Sequence, residues 1–276
     1  MHAKIKELTD LREPLINIHN LSVEFQTGTN EKTIALNNVN LGVNKDEFIC
    51  VMGPSGCGKT TLLNTIAGMQ AITSGTITIG GREVEKPSPE RAVVFQDDAV
   101  FPWMTVEENI GFSLRMQKKS KREIKETVER FLKLVKLEDF RTAWPKQLSG
   151  GMRKRVDIAR AYAANPKVLL LDEPFGPLDI MTKEHLQEEL RRLWLQAPRT
   201  VIFITHDLEE ALYLGDRIVV MTPRPGKIHS IYEPNFPKER DMSIKTSDAF
   251  VDYRKRIRSI LKQEEKTQNR EGDGNK

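Results

Sequence analysis

A glycine-rich run near residue 55 has the residue types and the spacing that hold a phosphate group. It matches the pattern G-x-x-x-x-G-K-[ST], and it reads Gly53-Pro54-Ser55-Gly56-Cys57-Gly58-Lys59-Thr60-Thr61. Glycines let consecutive backbone N–H groups turn toward one anion, and the lysine adds a full positive charge. The Thr60 hydroxyl is a ligand for Mg²⁺ in such loops. These nine residues therefore predict a site for a nucleoside triphosphate, without indicating what its hydrolysis drives.

The residues on either side of this loop support that interpretation. An apolar run from Phe48 to Met52 precedes it and predicts a buried strand, and a helical pattern from Leu62 to Met69 follows. The start of a helix offers unpaired N–H groups and the positive end of the helix dipole to a phosphate. Strand, loop and helix in this order form the context that the motif requires.

Polar side chains follow three other apolar runs, where strands of a parallel sheet would end. They are Gln96, the pair Asp172 and Glu173, and His206. Asp172 could hold Mg²⁺ with Thr60, Glu173 could polarise the attacking water, and Gln96 and His206 could position the metal, the water or the γ-phosphate. Each residue alone could equally be a turn, a helix cap or a structural hydrogen bonder. Beside a phosphate loop, we predict Glu173, His206 and Gln96 as catalytic and Thr60, Gln96 and Asp172 as metal ligands.

A second anion site is indicated by Ser149, Gly150 and Gly151, which open another helical pattern. A serine and two glycines at a helix start present free N–H groups to an anion. Since the chain already has a complete phosphate loop, the second site suggests a contact with a second nucleotide.

The order of the predicted elements favours an α/β fold in which early antiparallel strands precede a parallel core. Capping boxes at Thr105 and Ser120 begin two helices, and the last core strand ends at Met221, where prolines interrupt the pattern. From Gln263 onward the polar composition predicts disorder. The core strands are predicted at 48–52, 91–95, 168–171, 201–204 and 217–221.

Composition excludes some classes of protein. The chain has 276 residues, of which 38% are hydrophobic, and no apolar run approaches the length of a membrane helix. Its first residues lack an apolar signal region, so we expect a cytoplasmic protein unless a partner holds it at a membrane. Two cysteines cannot form a disulfide framework, and a net charge of +4 is too small to argue for nucleic acid.

The run Leu148-Ser149-Gly150-Gly151-Met152 resembles the LSGGQ signature of ABC-type ATPases. The resemblance implies that Phe25 stacks on adenine, that Asp179 lies in the D-loop, that Glu173 is the catalytic base and that His206 is the switch histidine. It also implies ATP and Mg²⁺ as cofactors, and a head-to-tail dimer in which Ser149, Gly150 and Gly151 reach the γ-phosphate bound by the opposite subunit. The sequence departs from the family pattern at Met152, Lys154 and Pro177.

The same resemblance implies a RecA-like P-loop NTPase core with an N-terminal antiparallel β subdomain and an inserted α-helical signature subdomain. We expect a leader at 1–15, an ATPase domain at 16–245 with its helical subdomain at about 97–165, and a C-terminal helix with a disordered tail at 246–276.

Two further runs are similar to ATPases of nitrate, sulfonate and taurine importers. They extend from Phe95 to Val106 and from Val220 to Ile228. The likeness implies a separate ATPase subunit for uptake of a small anion, peripheral at the cytoplasmic face of the cell membrane. Its implied partners are a second ATPase subunit, identical or paired, integral membrane permeases and, indirectly, a solute-binding protein. Another small solute, such as a pyrimidine precursor of thiamine, is the alternative.

Other hypotheses remain open at this point. A soluble ABC protein acting on nucleic acid would usually carry two cassettes or coiled-coil arms, and a nucleotide kinase would need a phosphate-acceptor lid. Trp103, next to Pro102, is a candidate for docking the permease or else a buried core residue. Cys57 is either a small spacer in the phosphate loop or a redox-sensitive thiol.

Overall fold

The computed structural model describes residues 13–27, 31–176 and 178–273. Most of the predicted leader, the departure at Pro177 and the end of the tail at 274–276 lie outside these ranges. In the described part, ten strands form a four-stranded sheet and a six-stranded sheet. The strands are β1 (Ile16–Thr27), β2 (Glu31–Val43), β3 (Phe48–Met52), β4 (Ser74–Ile79), β5 (Arg82–Glu83), β6 (Arg91–Val94), β7 (Val168–Asp172), β8 (Thr200–Ile204), β9 (Arg217–Met221) and β10 (Ile228–Tyr232).

The larger sheet carries the parallel core that the sequence predicts. Its strand order is β10-β9-β3-β8-β7-β6, and every neighbouring pair is parallel except the edge pair of β10 and β9. The carboxyl ends of β3, β7 and β8 therefore meet at one edge, where open α/β sheets bind their ligands. The smaller sheet has the order β2-β1-β4-β5 and is antiparallel, as the early strands predict.

Both faces of the six-stranded sheet are buried along its four inner strands, β9, β3, β8 and β7. Leu169 and Phe203 pack into a core shared with the helices, whereas Leu170 and Ile202, their neighbours along β7 and β8, pack toward the antiparallel sheet. Because adjacent residues of a strand face opposite sides, strands buried on both faces must be apolar throughout. This requirement explains the uninterrupted apolar runs in the sequence.

Seven α-helices accompany the sheets in the described ranges, and both predicted capping boxes are present. Thr105 accepts from the Glu108 amide and Ser120 from the Glu123 amide, while each glutamate bonds back to the cap. The helices are α1 (Lys59–Ala67), α2 (Val106–Met116), α3 (Lys121–Leu134), α4 (Gly150–Ala163), α5 (Ile180–Gln196), α6 (Leu208–Leu214) and α7 (Asp248–Asp273).

The structure differs from the expectations about the elements in two places. The helix α7 continues to Asp273 through residues from Gln263 onward, where the sequence predicts disorder. The strand β10 follows the prolines after Met221 and extends the sheet by one antiparallel edge strand. In the antiparallel sheet, β2 runs without a break from Glu31 to Val43, although Asn38 within it adopts a left-handed φ of 52°.

Candidate functional site

The phosphate loop joins β3 to α1, and two of its glycines need the conformation that they adopt. Gly56 has φ 74° and Gly58, the N-cap of α1, has φ 97°. A Cβ at Gly58 would also lie 2.8 Å from the Ala35 carbonyl oxygen. Other residues would be strained there, so the fold holds the loop in the shape that its glycines permit.

Lys59 is fixed inside this loop. Its ammonium donates to the carbonyls of Gly53 at 2.9 Å and Pro54 at 3.1 Å, and the residue is only 7% exposed. An ammonium is normally solvated, so burial at this depth requires such acceptors. The positive charge is therefore held where the loop would receive a phosphate.

Cys57 is fully buried beneath the loop. Burial raises the pKa of its thiol, against the opposing charge of Lys59. The thiolate is the reactive form of cysteine, so a buried thiol with a raised pKa favours the spacer hypothesis over a redox-sensitive one.

Thr60 and Asp172 come together from α1 and the end of β7. The Thr60 hydroxyl donates to Asp172 Oδ1 at 3.3 Å. Burial raises the pKa of the Asp172 carboxyl; the Thr60 hydrogen bond opposes this, and the Glu173 charge adds to it. A buried carboxylate paired with an exposed hydroxyl next to a phosphate loop fits Mg²⁺, which takes few protein ligands together with phosphate oxygens. Nowhere in the described ranges do three His, Cys, Asp or Glu side chains form a metal cluster, so the nucleotide would have to complete the coordination.

Glu173 and His206 form the second pair at this edge of the sheet. His206 Nδ1 lies 2.9 Å from Glu173 Oε2, and the two residues follow the neighbouring strands β7 and β8. Glu173 has a left-handed φ of 42°, and its amide donates to the Ile204 carbonyl at 3.0 Å. A non-glycine residue rarely adopts this conformation, and such strain is concentrated at functional sites.

Gln96 lies two residues past the end of β6 and is exposed. Its side-chain nitrogen comes 3.6 Å from the place where a Cβ on Gly176 would stand, so it borders the turn that follows Glu173. The structure therefore brings Gln96 to the same edge as Thr60, Asp172, Glu173 and His206. The chemical roles of these residues stay predictions.

The second anion site lies at the start of α4. Ser149 is its N-cap and accepts from the Met152 amide at 3.3 Å, and Asp179 caps α5 by accepting from Thr182 at 3.0 Å. Gly151 packs on Thr182 so closely that a Cβ would come within 2.8 Å of its methyl group. In the described part of the chain, no hydrogen bond or ion pair joins Ser149 or Asp179 to the phosphate loop. Within the described part of a single chain, the two anion sites therefore share no such direct contact.

Phe25 lies on β1 opposite Thr33 and is 37% exposed. An exposed aromatic ring can stack on a base. Its contact with adenine stays a prediction, which the exposure of the ring on β1 supports.

Two contacts at the site were missed from the sequence. Lys154, on α4, donates to the backbone at Phe95 and Gln96. Gly226 packs against the phosphate loop, where a Cβ would come within 2.0 Å of the Cys57 carbonyl oxygen. The glycine after two prolines was a visible signal of close packing; a lysine on a helix gave none, because most such lysines are solvated.

The comparisons with known proteins agree with this geometry. A family model described as ABC transporter matches residues 36–176. An ABC transporter ATP-binding protein of Methanocaldococcus jannaschii is 46% identical over 249 residues, which cover 90% of this chain and 92% of that protein. The aliphatic sulfonates import ATP-binding protein SsuB of Bacillus cereus is 45% identical over 242 residues, which cover 88% of this chain and 94% of that protein.

Solved structures show the same fold. A dimeric post-hydrolysis state of the ATP-binding cassette MJ0796, bound to ADP and Pi, has a TM-score of 0.68 at 31% identity and covers 79% of this chain and 98% of that chain. A second dimeric structure of MJ0796 has a TM-score of 0.69 at 33% identity, with the same coverage.

The fold and the phosphate loop define a P-loop nucleoside triphosphatase. More particularly, the chain belongs to the ABC transporter family and is an ATP-binding, ATP-hydrolysing transporter ATPase. The predicted fold class is confirmed by the solved structures, and the predicted likeness to importer ATPases is confirmed by relatives such as SsuB.

Asp172→Asn is expected to stabilise the nucleotide-free protein near neutral pH by on the order of 1 kcal/mol, because a buried charge is removed. The folded-state pKa is raised, so the ionised carboxylate weakens the fold above that pKa. The gain should vanish below the unfolded value of about 4, where both states are protonated. Urea unfolding across a pH series measures it.

The exposed Asp139→Asn is the matched control and should leave the stability unchanged. A loss of stability in Asp172→Asn at neutral pH would contradict the assignment of a raised pKa. Asp172→Asn should also bind ATP with Mg²⁺ more weakly than the wild type. Its stability and its affinity for the ligand are therefore expected to change in opposite directions.

Proposed function

We propose that this chain is the ATPase subunit of an importer for a small anion such as an aliphatic sulfonate, nitrate or taurine. The observation that carries the proposal is the likeness to SsuB of Bacillus cereus, 45% identical over 88% of this chain. Another small solute, such as a pyrimidine precursor of thiamine, is the alternative. The solute itself would pass through separate permease subunits.

The proposed roles at the site follow from its geometry. Lys59 and the amides of the phosphate loop bind the phosphates of ATP, and Glu173 accepts a proton from the attacking water. His206 orients Glu173 through their 2.9 Å contact and faces the γ-phosphate. A positioned base typically contributes 10²- to 10⁴-fold to the rate, so most of the turnover should depend on Glu173.

Thr60, Asp172 and Gln96 are proposed to hold Mg²⁺. The ion would supply charge neutralisation on the β- and γ-phosphate oxygens. Asp172 contributes a carboxylate that is costly to keep ionised in its buried position. A bound cation would offset that cost, which is the physical reason for placing an acidic residue there.

A head-to-tail dimer is proposed to complete each site. Ser149, Gly150 and Gly151 of one subunit would face the γ-phosphate held by the other, with Asp179 beside them. The exposed side chains of Ile180 and Met181, at 76% and 75%, follow Asp179 directly and fit a surface that a second subunit covers. Binding of ATP would close the dimer and hydrolysis would reopen it.

Trp103 is proposed to dock on the permease. It is 66% exposed, which removes the alternative of a core residue. Its ring lies 5.5 Å from Phe101, whose backbone is held by the buried Asn109 side chain at 2.8 Å and 3.2 Å. An exposed aromatic on a rigid turn suits an interface, because little entropy is lost when it binds. The chain would then be peripheral to the membrane; no helix in the described ranges is long and apolar enough to cross one.

The test is the ATPase activity of the complex with its permease subunits and solute-binding protein in lipid vesicles. An aliphatic sulfonate, nitrate, taurine and a pyrimidine are added in turn, and the solute that is imported should raise turnover severalfold. Trp103→Ala should abolish this stimulation while the isolated subunit hydrolyses ATP normally.

Phe140→Ala is the matched control, since Phe140 is also a large exposed aromatic of the helical part. It should leave the stimulation intact. Stimulation by none of the anions would overturn the proposed solute class, and loss of folding and ATPase activity together in Trp103→Ala would overturn the docking role.

A further inference from the structure

Lys154 is one of the most deeply buried charged residues of the described chain. It lies on α4, five residues after Ser149, and is 1% exposed. Its ammonium donates to the carbonyl of Phe95 and to the carbonyl of Gln96, each at 3.1 Å. Both carbonyls lie past the end of β6 at Val94. A side chain of α4 therefore holds the backbone of Phe95 and Gln96.

The charges around this ammonium explain why it is tolerated. Burial lowers the pKa of Lys154, while the carboxylates of Asp157, Asp98 and Asp97 oppose the shift. Asp98 Oδ1 lies 3.8 Å from the ammonium. A buried charge costs several kcal/mol unless its hydrogen bonds are satisfied, and here two carbonyls and a nearby carboxylate fill that need.

The network continues back to the signature. Asp98 Oδ2 accepts from Arg153 Nε at 2.6 Å, and Arg153 Nη1 donates to the Leu148 carbonyl at 2.7 Å. Leu148 directly precedes Ser149. A chain of hydrogen bonds and one ion pair therefore connects the Gln96 backbone, α4 and the residue before the second anion site.

We propose that Lys154 is a positioning residue that locks the backbone at Gln96 to the first turns of α4. Gln96 and the signature residues Ser149, Gly150 and Gly151 then move as one rigid unit. A shift of the signature on closure of the dimer would carry Gln96 with it. In one subunit, Gln96 would then reach the Mg²⁺ of its own site at the same moment as Ser149, Gly150 and Gly151 reach the nucleotide of the other site.

This inference rests on the proposed role of Gln96 in holding Mg²⁺. The local packing argument is independent of that role, since the Lys154 bonds go to backbone atoms. Two variants separate the ideas: Lys154→Met removes the hydrogen bonds while keeping the length of the side chain, and Gln96→Ala removes the amide itself.

The matched control is Lys245→Met. Lys245 is also a largely buried lysine, with its side chain 13% exposed and its ammonium 3.0 Å from Glu184 Oε1, but it bonds to no residue of the site. Both lysine variants lose a buried charged contact, so a general loss of stability should appear in both.

Hydrogen exchange of the amides at 95–98, without nucleotide, is the first measurement. Lys154→Met should raise their exchange about tenfold or more, since a segment without its hydrogen bonds opens locally, and Lys245→Met should not. With nucleotide, Lys154→Met should raise the Mg²⁺ concentration for half-maximal activity and lower kcat about tenfold, because small displacements of positioning groups are costly. Its Kd for ATP without metal should stay within twofold of wild type.

Lys154→Gln keeps a donor and should recover part of kcat and of the exchange protection. Unchanged exchange at 95–98 in Lys154→Met would overturn the proposal, and so would equal losses in Lys154→Met and Lys245→Met. If Gln96→Ala leaves the Mg²⁺ dependence unchanged while Lys154→Met still loosens 95–98, the role of Gln96 is wrong and the lock stands. If Gln96→Ala impairs Mg²⁺ dependence and Lys154→Met does not, the lock alone is wrong.

Discussion

Glu173→Gln is expected to bind ATP, to hydrolyse it 10²- to 10³-fold more slowly or worse, and to accumulate as an ATP-bound dimer. The substitution keeps the size of the side chain but removes its capacity to accept a proton, which is worth about 10² to 10⁴ in rate for a positioned base. Gln can still meet His206, so the 2.9 Å contact between the two side chains need not be lost. Single-turnover hydrolysis and size-exclusion chromatography with ATP measure both effects.

Glu126→Gln is the matched control, because Glu126 is an exposed glutamate of α3 that pairs with Arg122. It should hydrolyse ATP like the wild type and elute as the wild type does. Near-normal turnover in Glu173→Gln would contradict its role as the base. Loss of ATP binding in Glu173→Gln would instead indicate that the side chain supports the phosphate loop.

The part of the site that could be predicted from the sequence is the part that depends on strand ends. Parallel strands buried on both faces must be apolar, so the polar residues Asp172 and His206 mark the places where they leave the core. Because all carboxyl ends of such strands share one edge, residues far apart in the chain were expected together. The structure places Thr60 against Asp172 and Glu173 against His206.

The edge strand β10 and the end of α7 were harder to predict from the sequence, because contacts with neighbouring elements and helix propensity determine whether they form. The strand β10 alternates half-buried and exposed residues around His229, and its prolines and glycine suggested an end rather than a hairpin. It forms because β9 offers an unpaired edge. The polar end of α7, where the composition predicts disorder, contains mainly good helix formers, Glu, Lys, Gln and Arg, whose propensity favours the helix.

Contacts of a polar side chain that the fold buries could not be predicted from the sequence pattern. Lys154 is the middle residue of a run of three basic residues, yet α4 turns it inward against Gln96. Only the placement of β6 beside that helix determines whether the lysine is solvated or buried. The apolar stripe of a helix determines which of its faces turns toward the core. The burial of a charged residue within that stripe cannot be predicted until the carbonyls that accept its hydrogen bonds are located.

Two inactive variants are expected to restore each other when mixed. Lys59→Met removes the ammonium that the phosphate loop holds at Gly53 and Pro54. Ser149→Arg removes the N-cap of α4 and fills the second anion site. Each variant alone should lose nearly all ATPase activity, since both sites of its homodimer carry the same defect. In a head-to-tail dimer, a mixed pair has one site with both defects and one with neither.

Statistical mixing should therefore recover about a quarter of the wild-type rate, because half of the symmetric dimers are mixed and each has one intact site. ATPase titration of one variant against the other measures this, and ATP-dependent elution of the mixed dimer shows that the pair has formed. Within the described ranges, no hydrogen bond or ion pair joins Ser149 to the phosphate loop of its own chain, and this is the reason to expect recovery. If each site were built within a single chain, mixing would restore nothing although mixed dimers formed, so the experiment decides whether a second copy completes the phosphate loop.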